Sequence, residues 1–527
     1  MAPTPSPWIA VTALALWGAL PSRAAEAQLA PLTAPKGLLR VEGFTGFGTW
    51  DRRFFNGENQ PLAQDWIRPA LGSDFFPALL PAEEALQRVS GIPDARFDLG
   101  RSSARQTVTF ARSGFGLAYG LTDRITLFGR VPIVRVRVRS SLGLDSENAN
   151  AGFNPADPTF GSAEGAALIA SFFAAFDAAL ADLADRIASG AYDADPGTRT
   201  LAEQTLLLGE SLRADLFALT ADPTTASPFL PTSGSGIGAA ILARIGALQA
   251  TLSGPLGVES FSQTPALPTE PLGEEGLHSF LTNPDGPVAG LLETPVLNTL
   301  GEIELGVAVT LLDRVDEAVR GRGLRVAGQV LARLPTGQED RPEAFFDVGA
   351  GDRQNDVEMS LVADAVFPWG GIRGEAGYNL QLARGIIRRI APPSEPAPYA
   401  SREAGVSRDP GDVVSFAVTP YLRLAPTFAL FGGLRYSDRG ADAVGLVAGQ
   451  EPIPGAAASL LAEESAVSWI EWNAGISFRS PLRERGDRRL MPLDAAVTVS
   501  GISSGSGGRV PRPLTVRALL RLYRPFP

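Results

Sequence analysis

A period of two governs this chain. Between Glu302 and Leu311, the residues Ile303, Leu305, Val307, Val309 and Leu311 interleave with Glu302, Glu304, Gly306, Ala308 and Thr310. An extended segment with that pattern has one apolar and one polar face. Segments of this kind recur along the chain, separated by gaps that are alternately short and long, which is the pattern of an antiparallel barrel that crosses a membrane with strands.

Twelve strands are expected: Leu38 to Thr49, Gln106 to Tyr119, Arg124 to Arg139, Gly301 to Leu312, Gly323 to Leu334, Val357 to Phe367, Ile372 to Leu382, Val413 to Leu424, Thr427 to Tyr436, Val467 to Phe478, Leu493 to Ser500 and Leu514 to Tyr523. The even count suits a closed single-chain barrel. Arg325, Gln329 and Arg333 share one parity and face away from Leu324, Val326 and Val330. Glu358 and Asp364 likewise oppose Val357, Met359 and Leu361, and Arg373, Glu375, Asn379 and Gln381 oppose Ile372, Tyr378 and Leu380. A soluble sandwich turns its apolar face inward. Here the mixed-sign polar face is assigned to a wet lumen and the apolar face to lipid.

The gaps supply a topology. Gly120 to Asp123, Pro368 to Gly371 and Ala425 to Pro426 are tight turns, with Val315 to Arg322 and Arg479 to Pro492 somewhat longer. Between them fall the long connections Asp51 to Arg105, Ser140 to Leu300, Pro335 to Asp356, Ala383 to Asp412 and Ser437 to Ala466. Short turns on the periplasmic side and long loops outside are the barrel rule. The chain therefore divides into N-terminal strands with a lid loop (28–139), a helical insertion (140–300) and C-terminal strands (301–527). Within the insertion, Gly161 to Ser189, Thr200 to Leu219 and Ile237 to Leu252 have helical composition, and Thr200 with Glu203 has capping-box spacing. Gly165 to Ala181 sits at the lower length limit for a helical span and carries Asp177, so packing against the other helices or the barrel mouth is expected. The insertion either caps the outer mouth or plugs the lumen.

Residues 1–27 read as a secretory leader: Ile9 to Leu20 is apolar apart from Thr12 and Gly18, and Ala25-Glu26-Ala27 is a cleavage-type site. The region before it lacks Lys and Arg, and a single membrane anchor is the alternative. There are no cysteines, which removes disulfides and thiolate chemistry. A net charge of −11 without a basic block makes nucleic acid an unsuitable partner.

Arg130, Arg135, Arg137 and Arg139 stand out on the third strand, the last three at period two beside Val134, Val136 and Val138. The alternation changes phase around Pro132, which suggests a bulge. An inward arginine ladder would attract anionic solutes, unless the guanidiniums pair with lumen acids. The lumen-lining set expected from parity is completed by Glu302, Glu304, Arg325, Arg333, Glu358, Asp364, Arg373, Glu375, Arg435, Glu471, Arg517 and Arg521. His278, the only histidine, has Ser279 beside it, but sequence neighbours do not make a catalytic pair, so no enzyme activity and no cofactor are expected. Acidic loop residues such as Asp145, Glu147, Asp352 and Asp356 match no calcium-loop spacing. Trp369, Phe367, Tyr378, Trp469, Trp472, Phe478 and Tyr523 are placed near strand ends, where an interfacial aromatic belt would lie.

From Phe115 to Val134 the chain resembles outer-membrane proteins of the MetA-pathway phenol-degradation group and related transporters, in which a Tyr-Gly-Leu-Thr-Asp turn joins two strands and the second contains a Val-Pro segment. Tyr119 to Asp123 and Val131 to Ile133 match that pattern residue by residue, and Leu334-Pro-Thr-Gly337 resembles a later segment. The resemblance implies an outer-membrane barrel that passes small, often hydrophobic or aromatic, compounds, and it supplies no catalytic residues. The expected function is passive passage of small hydrophobic or anionic solutes. Outer-membrane lipid and the barrel-assembly machinery are the expected partners, with Phe526 on the apolar parity of the last strand as the recognition aromatic; oligomeric state is not indicated. A non-conducting barrel whose insertion binds a surface or partner, and a secreted soluble all-β protein, are the competing readings.

Overall fold

The computed structural model describes residues 32–526 apart from 77–78, 260, 287, 316–320, 391–401, 453–456 and 481–491. The leader and its cleavage site lie outside the described residues. Twelve strands close into an antiparallel barrel: β1 (Leu38–Trp50), β2 (Arg101–Gly120), β3 (Ile125–Asp145), β4 (Glu304–Asp313), β5 (Gly323–Arg333), β6 (Asp356–Phe367), β7 (Gly370–Gln381), β8 (Val413–Arg423), β9 (Phe428–Arg439), β10 (Val467–Arg479), β11 (Leu493–Gly507) and β12 (Leu514–Pro525). Each pairs with its sequence neighbour, and β12 returns to β1 from Leu38↔Pro525 to Thr49↔Leu514, leaving no free edge. All twelve segments marked by the alternation are strands of this barrel.

Parity decides which side chains face lipid. Val41, Leu117, Leu127, Leu305, Val330, Leu361, Ile372, Phe416, Leu434, Ile476, Val497 and Val516, one from each strand, are all at least 37 % exposed on the outside of the wall. Such a surface would be a solubility liability in water and is the natural exterior in a bilayer. The opposite parity holds the buried polar set, including Arg40, Glu42, Arg130, Glu304, Arg333, Asp364 and Arg373.

Two expectations about β3 need correction. Its pairing with β2 runs unbroken from Arg101↔Asp145 to Gly120↔Thr126, so Pro132 marks no bulge in this hairpin. The irregularity is on the other neighbour. β3 pairs with β4 up to Arg130↔Glu304 and then with Leu297–Leu300 from Ile133↔Leu300, so three residues, 301–303, oppose two. Gly301 N–H donates to the Pro132 carbonyl at 2.9 Å across this bulge, where the missing N–H of proline is not needed.

The second correction concerns the phase change itself, which is one of chemistry and not of backbone. At 21 residues β3 is about twice the 9–11 that a tilted strand needs to cross a bilayer. Over its first half Thr126 and Arg130 point inward while Leu127 and Ile133 point to lipid. Beyond Pro132, Val134 and Val136 point inward onto Trp50, Val108 and Phe110, and Arg135, Arg137 and Arg139 point out. The strand has left the membrane there, and the ordinary soluble pattern takes over.

Above this rim sits a helical cap. Helices α1 (Leu80–Ser90), α2 (Ala163–Ala188), α3 (Pro196–Thr220), α4 (Gly236–Ser253) and α5 (Glu274–Thr282) surround an apolar core that includes Leu86, Ile169, Phe172, Phe176, Leu216 and Ile241. The insertion is thus a cap outside the barrel and not a plug. α2 and α4 are each long and apolar enough to cross a membrane, yet the apolar stripe of α2 is spent on this core, where Phe176 stacks on Phe261 at 4.5 Å. Ser162 caps α2 by accepting from Gly165 N–H at 3.0 Å. The cap also draws Trp66, Phe75 and Phe76 from the connection after β1, and Phe345 and Phe346 from the one after β5, so it is assembled from several loops.

Candidate functional site: the lumen wall

The barrel register arranges the inward charges into rows. Arg521 of β12 lies opposite Glu42 of β1, Glu42 opposite Gly116 of β2, Gly116 opposite Arg130 of β3, Arg130 opposite Glu304 of β4, Glu304 opposite Arg333 of β5, and Arg333 opposite Asp356 of β6. One hydrogen-bonding row thus alternates in sign across seven strands, interrupted only by a glycine. Opposite charges directly across a strand pair attract, so the row is self-stabilising.

Distances bear this out. Arg521 Nε donates to Glu42 Oε2 at 2.9 Å, and Arg130 Nε donates to Glu42 Oε1. Arg130 and Arg112 both reach Glu304, at 3.4 and 3.0 Å, and Arg333 reaches Asp356 at 3.3 Å. Glu42 and Arg130 sit on strands separated by β2, and the glycine between them is what lets them meet. A Cβ at position 116 would stand 2.8 Å from Glu42 Cγ and 3.0 Å from Arg130 Cγ.

Two shorter rows repeat the motif. Asp313, Arg325, Asp364 and Arg373 face one another in turn on β4 to β7. Arg325 donates to Asp313 at 2.8 Å, and Arg373 grips Asp364 in a bidentate pair at 2.6 and 2.7 Å. Glu375 and Arg435 pair at 2.8 Å across Ala417, again a small residue on the intervening strand, and Arg435 lies opposite Glu471.

Of the residues expected to line the lumen, Arg130, Glu304, Arg325, Arg333, Glu358, Asp364, Arg373, Glu375, Arg435, Glu471, Arg517 and Arg521 are on the inward parity. Glu302 sits in the bulge before β4, where its carboxylate accepts from Asp352 N–H at 3.2 Å. Arg135, Arg137 and Arg139 are exposed on the outside wall, so they form no inward ladder. Parity is constant along β3, but the polarity of its two faces inverts where the strand leaves the bilayer, and a polar-inward rule applied along all of β3 carried them to the wrong face. Sequence reasoning missed Arg40, Glu42, Arg112 and Asp356. The inward-polar pattern of β1 could have revealed Glu42, but its partners depend on register.

Five acceptors on the inward parity are buried and have no protein donor among the described residues: Asp356 Oδ1, Asn379 Oδ1, Gln381 Oε1, Glu471 Oε2 and Asn473 Oδ1. Buried polar atoms of this kind are normally satisfied by ordered water. The short-turn end of the barrel holds a cavity of about 410 Å³ lined by Thr33, Arg124, Asp313, Arg325, Arg479 and Asp494, among others. The segment before β1 enters this mouth: Ala34 N–H donates to Thr126 Oγ1 at 2.8 Å, and the Thr33 and Thr310 hydroxyls are 2.7 Å apart.

Other candidates have structural roles. His278 Nε2 is hydrogen-bonded to the Leu142 carbonyl at 2.8 Å, fastening α5 to the outer end of β3. Among the described residues no group of three His, Asp or Glu side chains is placed to hold a metal ion. Trp369 is exposed at a turn and stacks on Phe367 at 5.3 Å, as an interfacial aromatic should. Trp469 and Tyr523 instead point inward, the latter donating to Asp494 at 2.6 Å.

No family model matches the chain. No curated protein matches it either. Among solved structures, an outer membrane channel from Pseudomonas putida F1 is similar over 93 % of this chain and 99 % of its own, at 9 % identity and a TM-score of 0.40. The toluene transporter TbuX of Ralstonia pickettii is 9 % identical over 94 % of this chain and 90 % of its own, with a TM-score of 0.27. The translocator domain of the autotransporter NalP from Neisseria meningitidis is 7 % identical over 93 % and 89 %, with a TM-score of 0.28. These values describe a general likeness in fold.

Proposed function

We propose that the protein is an outer-membrane channel through which small polar solutes cross passively. A closed, even-stranded, single-chain barrel with an outward apolar band and short turns at one end has the architecture of the Gram-negative outer membrane. The observation that carries the reading is the lumen wall, with charges of both signs neutralised in register on its inward parity. Such a wall supports water and hydrogen-bonding solutes without holding either sign of ion strongly. The ladder that motivated anion attraction faces outward, so neutral or zwitterionic compounds are the favoured cargo.

The cap favours a second reading. Trp66 packs on Phe345 and Phe346 at 5.3 and 5.0 Å, tying the cap to a connection that leaves the barrel mouth. A non-conducting barrel that displays the cap to a partner would also use that arrangement. Swelling of proteoliposomes carrying the full chain, in small neutral sugars and in organic anions of the same size, separates the two. Channel function requires swelling faster than in protein-free liposomes, with sugars at least as fast as anions. A variant with residues 162–259 replaced by a short linker should swell faster still, provided heat-modifiable migration shows a folded barrel. Absence of swelling in both folded proteins favours the display reading.

A further inference from the structure

The arginine ladder, removed from the lumen, stands in a place with its own chemistry. Ile133 is the last apolar residue on the outward face of β3, 53 % exposed, and its register partner on the neighbouring strand, Leu300, is 46 % exposed. The next outward positions are Arg135, Arg137 and Arg139, about 7 Å apart along the strand. On the neighbouring face of β2, Thr109 lies opposite Arg137, Thr107 opposite Arg139, and Arg105 opposite Ser141. The four guanidiniums are exposed, and none has a carboxylate within 4.0 Å among the described residues. The long loops place this end of the barrel outside the cell.

We infer that this face binds the phosphate groups of the glycolipid that forms the outer leaflet. The argument is positional and electrostatic. The apolar band ends at Ile133, so the first arginine lies at the depth where acyl chains give way to anionic headgroups. Three arginines on alternate positions of a rigid strand offer forked donors that match phosphate oxygens. Other outward strand faces carry isolated charges near the band, whereas here four cations gather on one two-stranded ribbon with threonine and serine hydroxyls between them. Inside a barrel with balanced charges the ladder would be an anomaly; at the headgroup level it is an anchor that holds the projecting β2–β3 ribbon, and the cap fastened to it through His278, against the membrane surface.

The inference rests on the membrane placement proposed above, and its test separates the two. Full-length protein and the R135Q/R137Q/R139Q variant are purified folded in detergent, and binding of bis-phosphorylated lipid A is followed by native mass spectrometry, with the lipid lacking both phosphates as control. The exposed, unpaired arginines leave heat-modifiable migration unchanged when replaced. The expected result is roughly hundredfold weaker binding by the variant, since each of the three basic residues near an anionic surface contributes about a factor of five. Binding should fall with added salt and be weak for the phosphate-free lipid. Equal binding by the folded variant and the native chain, or equal binding of the two lipids, overturns the inference while leaving the barrel's placement intact. Recovery of the native chain as a soluble periplasmic protein would instead overturn the placement itself.

Discussion

Glu42 shows how one residue can organise a wall. Its carboxylate faces Arg521 at 2.9 Å, Arg40 at 3.6 Å and Arg130 on the far side of Gly116, with only 2 % of the residue exposed. Replacing it with leucine would leave three guanidiniums without their shared anion, and removing one partner of a buried ion pair typically costs about 3–5 kcal/mol. Glu42→Leu is therefore expected to lower the unfolding free energy of the barrel by that much and to move its urea midpoint down, read from the heat-modifiable band, whereas removing a solvent-facing cation such as Arg199 should leave the midpoint nearly unchanged. Equal midpoints for Glu42→Leu and the native chain would contradict the network. The sequence displays Glu42 as one polar residue in a short alternation. Its importance comes from register, which pairs residues 479 positions apart, and no local pattern carries that information.

Single strands and loops behave as units of a larger kind. All twelve strands were legible because period two is imposed by the pleat wherever the two sides of a wall meet different solvents. β3 was misread in its outer half for the same reason: above the membrane the two solvents change places, so Val134 and Val136 turn inward and the arginines outward while the backbone continues unbroken. Cap helices α2, α3 and α4 were legible by composition, but α1, α5 and their partners in the connection after β1 and at Phe345 and Phe346 were not, since a core assembled from several loops leaves no periodic trace.

The connection after β5 also contains a titrating contact. Asp340 accepts from Arg388 of the hairpin strand Arg384–Ile390 at 3.1 Å, and burial pushes its carboxyl up to about 7 despite the nearby guanidinium. The unfolded carboxyl titrates near 3.8, so between about pH 4 and pH 7 the folded loop holds a proton that the unfolded loop has lost. Stability of this contact therefore falls as pH rises through that window and is greatest at its acid end. Limited proteolysis of the connection in the folded protein should be faster at pH 8 than at pH 5, after correction for the protease's own pH response, and Asp340→Asn should flatten the difference. A native chain cleaved at equal corrected rates would contradict the assignment.

For the whole molecule, balance of charge is the property that joins fold to function. A net charge of −11 suggests a strongly cation-attracting protein, yet the lumen distributes Arg and Glu or Asp in alternating rows, so little of that excess is expressed along the path. Composition sums over surfaces that never see the same solute, which is why it was silent about selectivity. The gap pattern, by contrast, marked which end of the barrel carries the long connections, because loop length is written directly in the chain.

Planar-bilayer recording of the folded, full-length protein under a steep KCl gradient is the most direct test of this account. The charge-balanced lumen predicts discrete conductance with a reversal potential close to zero. A reversal potential near that of either ion alone, or a folded and inserted protein with no conductance, would contradict it.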